Sequence, residues 1–165
     1  MIPAAGEIDI NFDSVDCTAD GPSVSVVTDS ETNLDAVDLA DKSRISFPIS
    51  CKYRYLALNL KNVDKYLSVS IIFRCENGQI REVTVSNKRS IITIEGNHCQ
   101  APMQLGPGWQ FLNLDLHKIL LNAFGVLPNL ILQVSVAGSG RVGKIYLQDE
   151  EYSDAELPPY LRLIQ

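Results

Sequence analysis

The 165-residue chain holds two histidines, four cysteines and one tryptophan. His98 stands beside Cys99, the composition of a metal pair or a Cys-His dyad, in which imidazole and thiolate ligate or attack. Adjacent residues of an extended segment point to opposite faces, and no third ligand follows at useful spacing, so the pair is read as structural. His117 falls on the polar face of an expected helix, where a solvated residue is the simpler reading. Gly138-Ser139-Gly140 is short, precedes a strand rather than a helix and lacks the lysine of a P-loop. Asp149-Glu150-Glu151 matches no calcium loop and reads as a solvated turn. Catalysis needs convergent acids, bases or nucleophiles. The sequence is therefore read as a non-enzyme with no cofactor, no metal and no catalytic residue.

The basic residues are better candidates. Arg74, Arg81, Lys88 and Arg89 lie on or beside one expected hairpin, and Arg141 and Lys144 on the penultimate strand. If these converge, they form a partner-binding patch whose grip on a negative surface weakens with salt. The competing reading is a set of charges that solubilise strand edges. The formal net charge of −6 conceals a division. Residues 1–43 carry ten acids against Lys42 alone, a net −9, whereas 44–165 carry thirteen Lys and Arg against ten acids, a net +3. An acidic leader precedes a basic body. It either competes with a polyanionic partner or is a solvated tail. The overall negative charge and the lack of interleaved aromatic and basic residues argue against nucleic acid. Trp109 and the six tyrosines offer rings for stacking on sugars, although a tryptophan after Gly-Pro-Gly is the more usual core residue.

The elements that must position these residues are mostly strands. After a partly mobile leader over 1–43, in which only Ser23 to Thr28 alternates as a strand does, one domain is expected over 44–165. Its strands read as Arg44 to Ile49, Tyr53 to Leu60, Tyr66 to Cys75, Gln79 to Ser86 and Ser90 to Glu95. Asn77-Gly78 predicts a two-residue hairpin turn. Trp109 to Leu116 reads as a buried strand running into a helix capped by Asp115 and ended by Gly125. Leu116, Ile119, Leu120, Ala123 and Phe124 form its apolar face. Leu130 to Val136 and Arg141 to Gln148 read as a hairpin turning at Ala137 to Gly140. Ser153 and Glu156 box the start of a short C-terminal helical turn that Pro158 and Pro159 end. The fold class is all-β, a two-sheet antiparallel β-sandwich or jelly roll with one amphipathic helix. No apolar stretch approaches the roughly 20 residues that cross a bilayer. The widely spaced cysteines and the lack of a basic, apolar start suggest a reduced, intracellular, cytoplasmic protein that is not exported.

Three blocks together resemble one family. They are Lys65-Tyr66-Leu67 through Phe73 with Glu76-Asn77-Gly78-Gln79-Ile80-Arg81 to Val85-Ser86-Asn87; Cys99, Pro102-Met103-Gln104-Leu105, Gly108-Trp109, Asn113-Leu114 and Ala123-Phe124-Gly125; and Arg141-Val142, Lys144-Ile145-Tyr146-Leu147, Asp149, Tyr152-Ser153 and Glu156-Leu157-Pro158. In that order they resemble the cilia- and flagella-associated protein twenty family, jelly-roll proteins of the doublet-microtubule inner junction. The family is richer in arginine where Gly78, Gln79, Ile80, Glu82 and Val83 stand here. The resemblance implies a non-enzymatic structural protein of the cilium or flagellum, in the axonemal cytoskeleton or the centriole and basal body. It further implies tubulin and neighbouring axonemal proteins as partners, with neither nucleic acid nor membrane. Two other classes stay open from the residues themselves: a carbohydrate-binding module and an adaptor for another protein.

Overall fold

The computed structural model describes residues 18–20 and 23–149. The expected C-terminal helical turn and the leader before Thr18 lie outside the described residues. The β-branched and alternating stretches form β1 (Thr18–Asp20), β2 (Ser23–Thr28), β3 (Asp35–Cys51), β4 (Tyr55–Asn62), β5 (Leu67–Cys75), β6 (Ile80–Ser86), β7 (Thr93–Glu95), β8 (His98–Pro102) and β9 (Gly108–Asp115). The helix α1 (Leu116–Phe124) and the long strand β10 (Pro128–Gln148) follow.

Two long strands, β3 and β10, pair antiparallel over most of their length and pass from one leaf of a sandwich to the other. In the first leaf the order is β1, the second half of β3, the first half of β10, β5, β6, β8 and β7. In the second leaf it is β2, the first half of β3, the second half of β10, β4 and β9. Leu67, Val69, Ile71, Val134 and Val136 come from the first leaf and Leu56, Leu58, Leu60 and Val142 from the second, all fully buried in one core. Their period of two is what assigns one face of each strand to that core.

Four expectations about topology change. Ala137 to Gly140 is no hairpin turn: β10 is one strand, and its register with β3 shifts between Gly138 and Gly140, where the chain changes leaf. Local Gly-Ser-Gly chemistry signals a bend; the leaf on the far side makes that bend a crossing rather than a reversal. The division at 43/44 is crossed by β3, and residues 23–43 supply β2, half of β3 and the loop between them. The sandwich also contains one parallel pair, β6 with β8, because the chain first builds β7 outside and then returns through β8 between them. Finally, Asn77-Gly78 belongs to a three-residue loop. Gly78 has φ 83° and donates to the Cys75 carbonyl at 2.9 Å, while Cys75 N–H reaches Gln79 O at 2.8 Å, the pattern of a turn closed by a glycine bulge.

The strand-to-helix junction follows the sequence reading in its caps, but β9, expected as buried, is only partly covered and Phe111 is exposed, because β9 pairs with β4 alone and forms the edge of the second leaf. Asp115 accepts from Lys118 N–H at 3.1 Å, and Gly125, at φ 68°, donates to Leu121 O at 2.9 Å. Leu116 and Leu120 are fully buried, with Ile119, Ala123 and Phe124 packed against the core. Arg54 clamps the capping carboxylate through two bonds of 2.8 and 3.0 Å, and this pairing, with the Lys118 amide, holds the Asp115 carboxyl below its ordinary pKa. Asp115→Ala is expected to lower stability by about 1 kcal/mol, read as a lower urea midpoint with unchanged slope.

Candidate partner-binding surface

The six basic residues singled out in the sequence fall into three places. Arg74 and Arg81 are near each other at the loop end of the β5–β6 hairpin but on opposite faces. Arg74 pairs across with Ile80 and is exposed, whereas Arg81 pairs with Phe73 and turns toward the helix. Its guanidinium lies 4.5 Å from the centre of the Phe124 ring. Lys88 and Arg89 lie past the other end of β6, roughly 20 Å away at the strand's rise per residue. Lys88 bonds to Asp64 at 3.2 Å, and Arg89 donates to Thr93 at 2.6 Å and to Gln100. Arg141 and Lys144 are on the second leaf. The hairpin cations and the β10 cations are therefore not one patch.

Arg141 is already engaged. One register row crosses the second leaf as Asp38, Arg141, Lys61 and Trp109, and the loop after β2 folds Asp29 over it. The Asp29 side chain has no exposed surface. Its Oδ2 accepts from Arg141 Nη1 at 2.7 Å and Lys61 Nζ at 3.1 Å; its Oδ1 accepts from Trp109 Nε1 at 3.0 Å and from the Glu31 and Thr32 amides at 2.8 and 3.2 Å. Arg141 Nε also donates to Asp38 at 3.0 Å, and Lys61 pairs with Glu31 at 2.8 Å. Burial alone would raise the Asp29 pKa, but the bonds from Trp109, Arg141 and Lys61 outweigh it and hold the carboxyl well below the carboxylate range. Three acids here meet two bases, so this leaf offers a polyanion no free charge at Arg141. Trp109 is half-buried with its N–H spent on Asp29 and its ring beside Gly143, which is not the posture of an open stacking platform.

A more coherent surface lies on the outer face of the first leaf. Alternation that sends Ile45, Val69 and Val85 into the core sends hydroxyls to the opposite face, where Ser46, Ser68, Ser70, Ser86 and Ser135 are nonetheless buried. Ser46, Ser135, Ser70, Thr84, Gln100 and Thr93 form one register row across six strands. Ser70 and Thr84 share a hydrogen bond of 2.8 Å, Thr84 Oγ1 lies 3.0 Å from His98 Nε2, and Arg44 reaches Ser135 at 3.4 Å. His98 thus serves this face while Cys99 is buried in the core, where burial pushes its thiol pKa up. The two side chains form no dyad. Over this floor are two open cavities. One of about 300 Å³ is bordered by Lys42, Arg44, Tyr66 and Ser68; the other, of about 480 Å³, by Tyr66, Ser86, Lys88 and Arg89. They meet at Tyr66, which is half-exposed. Among the described residues no carboxylate lines either one.

Sequence reasoning found Lys88 and Arg89 but missed Lys42, Arg44 and Tyr66. By composition Lys42 belongs to the acidic leader and Arg44 opens the basic body, although both sit where β3 bends between leaves. The available signal was the hydroxyl alternation of Ser68, Ser70, Thr84 and Ser86, a polar sheet face without bulk.

The CFA20 domain profile matches residues 15–165, nearly the whole chain and all of the sandwich. The chain belongs to the CFA20-domain family. Cilia- and flagella-associated protein 20 of Chlamydomonas reinhardtii is 30% identical over 115 residues, and its Paramecium tetraurelia namesake 28% over the same length. The Caenorhabditis elegans protein of that name is 24% identical. The first two matches cover 70% of this chain and 60% of the relative, so the chain aligns with well under the full length of these CFA20-domain proteins. Among solved structures, the family 11 carbohydrate-binding module of Clostridium thermocellum Lic26A-Cel5E is similar at 13% identity and a TM-score of 0.44, covering 88% of this chain and 95% of the module. The sandwich is established by the strands themselves.

Proposed function

We propose that this CFA20-domain chain is a non-enzymatic structural protein of the cilium or flagellum that binds tubulin at the inner junction of doublet microtubules. The observation that carries the reading is the family match over 15–165, joined to relatives whose names place them in cilia and flagella. The first-leaf groove supplies a physical means. Lys42, Arg44, Lys88 and Arg89 border two adjoining cavities with no lining carboxylate among the described residues, Lys88 pairing only with the fully exposed Asp64, and an acidic microtubule surface is attracted to such a groove. The serines beneath the groove are buried, so contact falls on the cations of its rim, which suits a reversible, salt-sensitive junction.

Microtubule co-sedimentation across a salt series tests this. The full chain is expected to bind at low salt and to release as salt screens the charges. The pairs Lys42→Glu with Arg44→Glu, and Lys88→Glu with Arg89→Glu, are each expected to weaken binding at least about tenfold, since like-charge juxtaposition at an interface costs more than 1.4 kcal/mol. Arg74→Glu, outside the groove, is expected to bind as the unaltered chain does. Equal binding by both groove variants would remove the groove from the mechanism, and no binding by any form at low salt would remove direct tubulin contact.

A further inference from the structure

At the outer end of the first leaf the sequence and the ladder disagree. Ser90 to Glu95 reads Ser-Ile-Ile-Thr-Ile-Glu, a strand by β-propensity, yet only Thr93–Glu95 finds a partner, and β7 ends the leaf among the described residues. Ile91 is 66% exposed, Ile92 64% and Ile94 48%. Among the described residues no strand pairs with this edge. A strand former left unpaired at a sheet edge, with exposed isoleucines and no proline or lysine within Ser90 to Glu95, is a template for another strand.

The edge has a defined hydrogen-bonding phase. Glu95 and His98 flank the two-residue turn Gly96-Asn97, and Thr93 pairs with Gln100. These are the pairs that exchange backbone bonds across β7 and β8, so the N–H and C=O of Ile94 point away from the leaf. The chain bends at Ile91 before β7, and straightening that bend into strand would point those of Ile92 and Ser90 the same way. The charge pattern then selects the occupant. Around a twofold axis at Ile92, an antiparallel second copy sets Ile92 against Ile92, Ser90 against Ile94, Ile91 against Thr93 and Arg89 against Glu95. In that register the outward groups of Ser90, Ile92 and Ile94 face their counterparts, giving about six backbone bonds. Each end closes with one arginine-glutamate pair. Arg89 already lies on the same side as Glu95, held by Thr93 at 2.6 Å and by Gln100, and its five donors leave room for a carboxylate.

We propose that two copies of the chain join through this edge, extending β7 back to Ser90 and continuing the first leaf across a twofold axis. The contact is isologous: the same residues serve both sides. Both cores stay on one side of the joined sheet, and Ile92 and Ile94 of one copy cover those of the other.

Sedimentation velocity of the full chain without tubulin tests this separately from microtubule binding. A monomer–dimer equilibrium is expected at concentrations up to about 100 µM. Arg89→Glu alone opposes two glutamates at each end, and Glu95→Arg alone opposes two arginines; each is expected to raise the dimer dissociation constant at least about tenfold. Mixing the two variants restores complementary ends in a heterodimer, and the double swap restores them in a homodimer. Glu95 is exposed, so Glu95→Arg is expected to keep the unaltered melting curve, which guards against misreading a folding defect. Ile92→Lys, with two ammonium groups meeting on the axis, is expected to abolish the dimer. A full chain that stays monomeric throughout, single variants that dimerise unchanged, or folded variants whose mixture fails to recover would overturn the proposal.

Discussion

Asp29→Ala is expected to lower the midpoint of thermal unfolding by about 6–12 °C, from a loss of about 3 kcal/mol in a chain of this size. The carboxylate has no exposed surface and takes bonds from Arg141, Lys61, Trp109 and two loop amides. Its removal leaves the indole N–H and the amides without a partner and sets two cations beside each other. Arg141 and Lys61 keep some exposure, 28% and 16%, so water recovers part of the loss, which places the effect at the lower end for a broken buried pair. The pH dependence has a definite sign. Asp29 is held below the carboxylate range in the folded chain, so its share of stability is complete above the unfolded pKa of about 3.9 and is lost as pH falls toward the folded value. Chemical denaturation of the unaltered chain and Asp29→Asn should therefore differ most near neutral pH and converge in acid. A difference that holds constant down to about pH 2.5 would show that Asp29 contributes through shape rather than charge.

That pin was not legible in the sequence, for a physical reason. Asp29 is one of ten acids in the first 43 residues, where charge density and sparse apolar residues suggest a tail. Its donors stand 32, 80 and 112 positions away, and only the register of four strands brings them into one row. What the sequence did carry was local. Asp115 and Gly125 cap the helix as their types require, and the apolar spacing of α1 names the face that packs. The strands from Tyr55 to Ser86 follow their alternation within two residues at either end. Where sequence and structure part, tertiary pairing overrides a local signal: a glycine pair becomes a crossing between leaves, and Ser90 to Ile92 keeps strand chemistry without a strand. The basic groove was half visible for the same reason. Lys88 and Arg89 sit beside a recognisable hairpin, but Lys42 and Arg44 belong to it only because β3 bends where β10 does.

That bend supports the second large expectation. Gly138→Ala is expected to cost about 4 kcal/mol or more, so that the variant melts at least about 10 °C lower or fails to accumulate as folded protein. Gly138 has φ 113°, and a Cβ there would lie 2.1 Å from the Tyr66 carbonyl oxygen and 2.9 Å from its carbon. That carbonyl cannot swing aside freely, since it accepts from Ser139 N–H at 2.8 Å. Relief would have to come from moving the start of β5 away from β10, which uncovers Leu67 and disturbs the side of the groove that Tyr66 borders. Gly78→Ala is the comparison that separates strain from collision. Gly78 has φ 83°, but a Cβ there meets nothing within 4 Å, so its cost should be only about 1 kcal/mol. Urea titrations of the two variants beside the unaltered chain give both numbers. If Gly138→Ala cost no more than Gly78→Ala, the close approach of β10 to Tyr66 would not be the constraint that fixes where the two leaves meet.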